Sequence, residues 1–334
     1  MRMLIAGDWM DGAVREEVVN PFNGDVIDTV PVASRADIER ALAAAVRGAE
    51  RQRHTPAYDR QAILLRAADL ADERVDDLAR TISLESGKLL TEATGEASRA
   101  GDMLRLAAFE GAHLYGDSLP LDAHRGAGQG RLGFTLRQPC GVVVAITPFN
   151  YPSLLVLHKI APALAAGNAV ILKPARKTPL TALKLTQILL DAGLDPEAIS
   201  CVTGPGAELG EILCSDPRVR KISFTGNSAT GEAITRIAGV KRLSLELGAS
   251  CPVVVLPDAD IELAARAVSI GGYVNAGQVC ISVQRVIVAR PPLVSRVKAG
   301  SAACHDWPVT PKSKRGEKKY GSLKLRRMPR SSAE

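Results

Sequence analysis

The alternation of apolar and polar positions changes rhythm three times along the chain. Over residues 3–33 short apolar runs alternate with turn pairs such as Asp11-Gly12 and Asn23-Gly24, which predicts small strands and hairpins. Ser34 then precedes apolar residues at helical spacing (Ile38, Leu42, Ala45 and Val46), the pattern of an N-cap and an amphipathic helix. Two further amphipathic helices are predicted over 57–85 and 89–113, with Gly87 as the stop between them.

From residue 131 the rhythm becomes strand-like runs at 131–146, 168–172, 199–203, 220–224, 241–246 and 252–256. Helical runs at 152–166, 178–192, 207–214 and 228–238 separate most of them. Strand–helix alternation at this spacing predicts an α/β fold: a doubly wound, Rossmann-like parallel sheet with helices on both faces. A further helix (260–275) and strand (283–288) open a second α/β domain that is incomplete. The expected organisation is N-terminal hairpins and helices packing on the cofactor domain (1–130), a dinucleotide-binding domain (131–246), a partial catalytic domain (247–289) and a basic, disordered tail (290–334).

Charge sharpens that last boundary. The whole chain carries a formal +6, but residues 290–334 hold 12 of its 42 Lys/Arg and only 3 of its 36 Asp/Glu. The tail is therefore +9 and the body −3. A basic tail can bind phosphate backbones, yet no reading fold or aromatic platform accompanies this one, so a solvated tail is the simpler reading. No apolar run approaches the roughly 18 residues a membrane helix needs, and no signal peptide is evident. Six cysteines at 140, 201, 214, 251, 280 and 304 make no CxxC pair. Their scatter suggests neither a disulfide framework nor a metal site, and fits a reducing cytoplasm.

Three residues invite chemistry. Cys280, in Asn275-Ala276-Gly277-Gln278-Val279-Cys280, offers a thiol that can attack an aldehyde carbon and later leave from a thioester. A lone cysteine is more often a buried structural residue. Glu246 ends an apolar strand before Leu247-Gly248; a buried carboxylate there would be costly without a role, and a general base is one, while a solvated strand-end acid is the plain alternative. Asn150, in Pro148-Phe149-Asn150-Tyr151-Pro152, can donate to an oxyanion without changing charge, or can simply be a turn asparagine. On the cofactor side, Lys173-Pro174 closes a strand, where open α/β sheets bind ligands. Gly204, Gly206 and Gly210 form GxGxxxG, a weak phosphate signal, and Phe224-Thr225-Gly226-Asn227 leads a strand into a helix whose N-terminus could meet a pyrophosphate.

Taken in order, PFNYP, AAGNAVILKP, ISFTG, LELG and GQVCIS resemble the aldehyde dehydrogenase superfamily over residues 1–289, including the 34-residue interval from Glu246 to Cys280. The resemblance implies Cys280 as nucleophile, Glu246 as general base and Asn150 as oxyanion donor, gathered around one cavity beside the nicotinamide. It implies NAD(P) contacts at Ile146, Thr147, Pro148, Lys173, Arg176, Gly206, Gly210, Phe224, Thr225, Gly226, Asn227 and Leu247, with Lys173 on the adenosine ribose, and no metal. Many members carry an acid where this chain has Arg176; a cation there suits a 2′-phosphate, so the cofactor leans to NADP. FTGS reads FTGN, and ELGGKSP reads ELGASCP with Ala249, Ser250 and Cys251.

The resemblance points to the branch acting on small polar or phosphorylated aldehydes. It also implies a homo-oligomer, completed by a C-terminal strand that pairs across subunits. Neither that strand nor the glutamate–phenylalanine motif that holds the nicotinamide ribose is legible after residue 289. The text there reads as truncated or frame-shifted, and the second reading of the chain is an inactive remnant that at most binds dinucleotide. On that view strand 283–288 exposes backbone edges and apolar faces.

Overall fold

The computed structural model of the protein describes residues 1–126 and 128–289. The expectations for 290–334, a disordered basic tail included, lie outside the described residues. Two compact units divide between Glu246 and Leu247.

The first unit opens with an antiparallel pair, β1 (Met3–Ile5) and β2 (Asp8–Met10), and then a hairpin, β3 (Arg15–Val19) and β4 (Val26–Pro31). The β3–β4 turn contains Asn23-Gly24, with Gly24 at φ +84°. The Asp11-Gly12 pair does not close a hairpin; it links β2 to β3, which lie in different sheets. Helix α1 (Arg35–His54) begins at a capping box in which the Ser34 hydroxyl accepts from the Asp37 N–H and the Asp37 carboxylate accepts from the Ser34 N–H. It buries Ile38, Ala41, Leu42, Ala45 and Ala49. Gly48 lets it approach the 196–198 turn so closely that a Cβ would lie 2.2 Å from the Glu197 carbonyl.

The two long helices expected next are each broken in two. They form α2 (Ala57–Glu73), α3 (Val75–Ser86), α4 (Leu90–Ala97) and α5 (Ala100–Ala112). Arg74 leaves helical geometry at the first break, while Gly87 ends α3 in the left-handed region at φ +71°. The run at 131–146 is likewise two strands, with β5 (Ser118–Leu119) pairing β6 (Gly133–Phe134) apart from β7 (Val142–Ile146). Pro139 and Gly141, the latter at φ +113°, interrupt the extended run.

The remaining elements follow the expected alternation: α6 (Leu154–Ala165), β8 (Ala169–Lys173), α7 (Leu180–Asp191), β9 (Ile199–Cys201), α8 (Gly206–Ser215), β10 (Val219–Thr225), α9 (Ser228–Ala238) and β11 (Arg242–Glu246). Strand order in the sheet is β11-β10-β7-β8-β9-β1-β2. Strands β11 through β9 are parallel and β1 and β2 join antiparallel, so the sheet is mixed rather than wholly parallel. Helices α6 and α7 pack with α2, α3 and α5 on one side, and α1 packs with α8 on the other. The sheet interior is almost wholly aliphatic, with Val143, Val144, Ile171, Leu172 and Ile199 buried on continuous apolar strands, as a sheet covered on both faces requires.

Two buried carboxylates pin the helical layer to the sheet. Glu96 pairs with Lys88, both nearly inaccessible, and accepts the Ser153 and Leu154 N–H groups at the start of α6 (2.9 and 3.2 Å). Glu85 accepts from Leu180 N–H at 2.7 Å and Thr181 N–H at 3.1 Å at the start of α7. Burial pushes the Glu85 carboxyl up to about 7, against the opposing pull of the Thr181 hydroxyl and these backbone donors.

The second unit holds β12 (Cys251–Val255), α10 (Ile261–Tyr273) and β13 (Val283–Val288), a parallel pair with its crossover helix. Asp260 caps α10 by accepting from Glu262 and Leu263 N–H. Gly271 allows close packing on β13, where a Cβ would lie 2.9 Å from Val283. No residue of α10 is fully buried, and Val254, Leu256 and Leu263 are exposed.

Replacing Lys88 by Met leaves Glu96 buried without its cation, and should destabilise the protein by about 3–5 kcal/mol. Urea unfolding monitored by circular dichroism checks this; a loss below about 1 kcal/mol would show that the backbone donors alone satisfy Glu96.

Candidate active site

Parallel pairing aligns the carboxyl ends of four strands. Lys173 of β8 is registered with Ile146 of β7, Ile146 with Phe224 of β10, and Phe224 with Leu245 of β11. Glu246 follows, opposite Thr225. The chain leaves β7 toward β8 and later returns to place β10 on its other side, so the sheet reverses its winding between β7 and β10. That reversal opens the crevice where doubly wound sheets bind ligands. Ile146, Thr147 and Pro148 lie on one side of it and Phe224, Thr225, Gly226 and Asn227 on the other.

Lys173 is 3% exposed and makes no ion pair among the described residues; its Nζ donates to the Pro174 carbonyl at 3.0 Å. Desolvation pushes its ammonium down to about 8, with Glu16 and Cys201 opposing and Arg176 adding to the shift. A buried cation at a strand end without an ion-pair partner suits a hydroxylated or anionic ligand. Gly206 begins α8, where no side chain caps the helix and a Cβ would lie 3.6 Å from the Lys173 Nζ. Gly210 lies within α8 with open space around it, and the positive φ belongs to Gly204 (+134°). Asn227 caps α9, its side chain accepting from Thr230 N–H at 2.8 Å, so one donor of that helix end is already used. Arg176 is paired through Nε with Glu16 at 2.7 Å.

Asn150 sits in the loop between β7 and α6. Its carbonyl accepts from the Lys88 Nζ at 2.9 Å, and the same ammonium lies 3.9 Å from the Tyr151 ring centre. The Glu96 bonds at Ser153 and Leu154 hold the other end of this loop. Glu246 is exposed, so the burial argument made for it from the sequence does not hold. Its nearby cation is Lys159 of α6, whose Nζ donates to Ser223 Oγ at 3.2 Å. Burial lowers the Lys159 ammonium to about 8, and Glu246 pulls it back up. Lys159 was not singled out from the sequence; a lysine inside an otherwise apolar helical run was the available signal.

Cys280 and Leu247 belong to the second unit. Cys280 is half-buried and follows three consecutive left-handed residues: Asn275 (φ 50°), Ala276 (φ 56°) and Gly277 (φ 73°). For the two that are not glycine this costs on the order of 1–3 kcal/mol each, strain of the kind that gathers at functional loops. The loop is held by Gln278 N–H donating to the Asn275 carbonyl (3.0 Å) and by the Ser282 hydroxyl, which reaches the Gly271 and Gly272 carbonyls (3.2 and 3.1 Å). The Cys251 thiol donates to the Cys280 carbonyl at 3.6 Å, a contact not foreseen from the sequence. Among the described residues no three His, Cys, Asp or Glu side chains cluster as metal ligands, and no helix is long and apolar enough to cross a membrane. A groove between the β1–β2 edge and helices α3 and α7 carries none of these residues.

The family model described as "Aldehyde dehydrogenase family" matches residues 9–323. The chain belongs to the aldehyde dehydrogenase family. The family match continues beyond Ala289, where the motif reading stopped. A curated relative, the 3-sulfolactaldehyde dehydrogenase of Priestia aryabhattai, is 41% identical over 286 residues, covering 86% of this chain and 59% of the relative. The chain thus spans about three-fifths of that relative's length. Among solved structures of the family, the NADP complex of the NADP-dependent glyceraldehyde-3-phosphate dehydrogenase from Bacillus halodurans superposes with a TM-score of 0.87 at 34% identity, over 90% of this chain and 63% of that one. The NAD-dependent aldehyde dehydrogenase from Sinorhizobium meliloti gives 0.85 at 34% identity, over 90% and 60%.

Lys173 titrates at about 8 when folded and near 10.5 when free, so the unfolded chain binds the extra proton. The folded state is therefore penalised below about pH 8, and the penalty lifts as pH rises toward 10.5. Lys173→Met should stabilise the protein by about 1–3 kcal/mol at pH 7, with the gain shrinking by pH 9.5. Paired denaturant titrations at the two pH values check this; a variant less stable than wild type at pH 7 would show that Lys173 serves the fold.

Proposed function

We propose that the protein oxidises a small anionic aldehyde to a carboxylic acid with a nicotinamide dinucleotide, through a thioester on Cys280. The observation that carries this is the in-register row of Lys173, Ile146 and Phe224 at the winding reversal, ending beside Glu246 in a chain of this family. The buried ammonium of Lys173 and the uncapped start of α8 suit the ribose hydroxyls and phosphates of a dinucleotide. Ile146, Thr147, Pro148, Gly210, Phe224, Thr225, Gly226, Asn227 and Leu247 complete the proposed contacts. Arg176 favours a 2′-phosphate, which inclines the reading to NADP with NAD also accepted.

In this reading the Cys280 thiolate adds to the aldehyde carbon, and the resulting oxyanion is held by the Asn150 amide and the Cys280 N–H. When bound, the nicotinamide supplies the hydride acceptor. Glu246 then takes a proton from the water that cleaves the thioester, releasing the acid and restoring the thiol. Support for the substrate class comes from relatives whose names specify 3-sulfolactaldehyde and glyceraldehyde 3-phosphate, both three-carbon hydroxyaldehydes with an anionic end.

Purified protein given glyceraldehyde 3-phosphate and NADP+ or NAD+ should form reduced cofactor, followed by its absorbance. Cys280→Ala should abolish this while dinucleotide binding survives, and Asn150→Ala should lower kcat by about 10²–10³-fold. Full turnover by the cysteine variant, or no turnover by wild type with either this aldehyde or 3-sulfolactaldehyde, would refute the proposal.

A further inference from the structure

An acid from a different part of the fold reaches Arg176, in the loop that follows β8. The β3–β4 hairpin is clamped over the carboxyl ends of the central strands. The Thr203 hydroxyl donates to the Pro31 carbonyl, Ala33 N–H donates to the Thr203 carbonyl at 2.9 Å, and Gly204 leaves room for Val32, whose Cγ1 would lie 3.2 Å from a Cβ there. This clamp brings Glu16, the second residue of β3, to Arg176 just beyond the end of β8. Its carboxylate accepts from the Arg176 Nε at 2.7 Å, and its side chain is only 17% exposed against 63% for Arg176. It is also the first opposing charge felt by the Lys173 ammonium. Arg176 makes no other hydrogen bond among the described residues, so its terminal N–H groups remain open to a ligand.

We propose that Glu16 is a cofactor-selectivity residue: its carboxylate, seated against Arg176 and beside Lys173, opposes the 2′-phosphate of NADP and leaves room for the 2′-hydroxyl of NAD. This rests on the cofactor reading above and deepens it. A guanidinium alone would attract a 2′-phosphate, whereas an acid at the same place accepts a ribose hydroxyl and repels a phosphate. With both present, the two preferences offset each other, and the chain binds both dinucleotides. The opposition is between charges near the surface, so it weakens as ionic strength rises.

The test is equilibrium binding of NAD+ and NADP+ to the full chain, followed by fluorescence quenching, which needs no turnover. Wild type should bind both, with dissociation constants within about tenfold of each other. Glu16→Gln keeps an oxygen for the Arg176 Nε and removes only the charge; it should shift the NADP/NAD affinity ratio about tenfold toward NADP at low salt, and less at high salt. Arg176→Ala should shift the ratio the other way. A ratio that moves less than about twofold in Glu16→Gln, or moves toward NAD, overturns the role of Glu16 while leaving the cofactor reading intact. If wild type binds neither dinucleotide, the cofactor reading falls and this inference with it.

Discussion

The parallel hydrogen-bond ladder across β8, β7, β10 and β11 is the constraint on which the rest of the molecule depends. Registers in a sheet buried on both faces are strongly specified, because a one-residue slip would turn the other face of every strand toward each helical layer. Here the register sets Lys173, Ile146 and Phe224 side by side and carries Glu246 to the edge of the same row. Residues far apart in the chain thus become neighbours through backbone bonding alone. The winding reversal between β7 and β10 then opens the row to a ligand, since the helices leaving those two strands depart to opposite sides.

Charges inside the first unit divide by what satisfies them. Lys88 and Glu96 are buried as an ion pair completed by backbone donors, which ties the N-terminus of α6 to the helical layer; Glu85 does the same for α7 with hydroxyl and backbone donors that only partly offset its burial. Lys173 and Lys159 are also desolvated, but neither has an ion pair among the described residues, and both titrate near 8. The Lys88–Glu96 pair meets what a stable fold requires of a buried charge, a partner and hydrogen bonds. The second group is held at a cost to stability beside the strand ends, as ligand-facing residues commonly are. The Asn150 loop lies between the groups: Lys88 grips the Asn150 carbonyl, so a structural ion pair also fixes the backbone from which Asn150 projects.

Much of the fold could be read from the residues. The Ser34 N-cap, the Gly87 stop and the alternation from β7 to β11 follow from local rules of propensity, capping and period. Local rules failed where one element followed another inside a single periodic run. The break at Arg74 has no glycine or proline to mark it, and the run at 131–146 hid a change of partner between β6 and β7. The burial argument for Glu246 failed for a related reason: β11 is the edge strand of its sheet, and alternate residues there face solvent. Lys159 and Glu16 went unnoticed because their significance lies in what approaches them from other elements.

What the amino-acid sequence determined by itself was most of the elements, the family and the residue types that its motifs carry in order: thiol at 280, carboxylate at 246, amide at 150, ammonium at 173. These are local properties of pattern and composition, fixed within a few residues of each position. Only the tertiary structure decided which of them is desolvated, which is already partnered, and which meets an unexpected neighbour. Glu16 beside Arg176, Lys88 beneath Asn150 and the Cys251 thiol on the Cys280 carbonyl all join residues 29 to 160 positions apart. Such contacts arise from strand register and close packing, which depend on the whole chain folding at once and leave no trace in a local window.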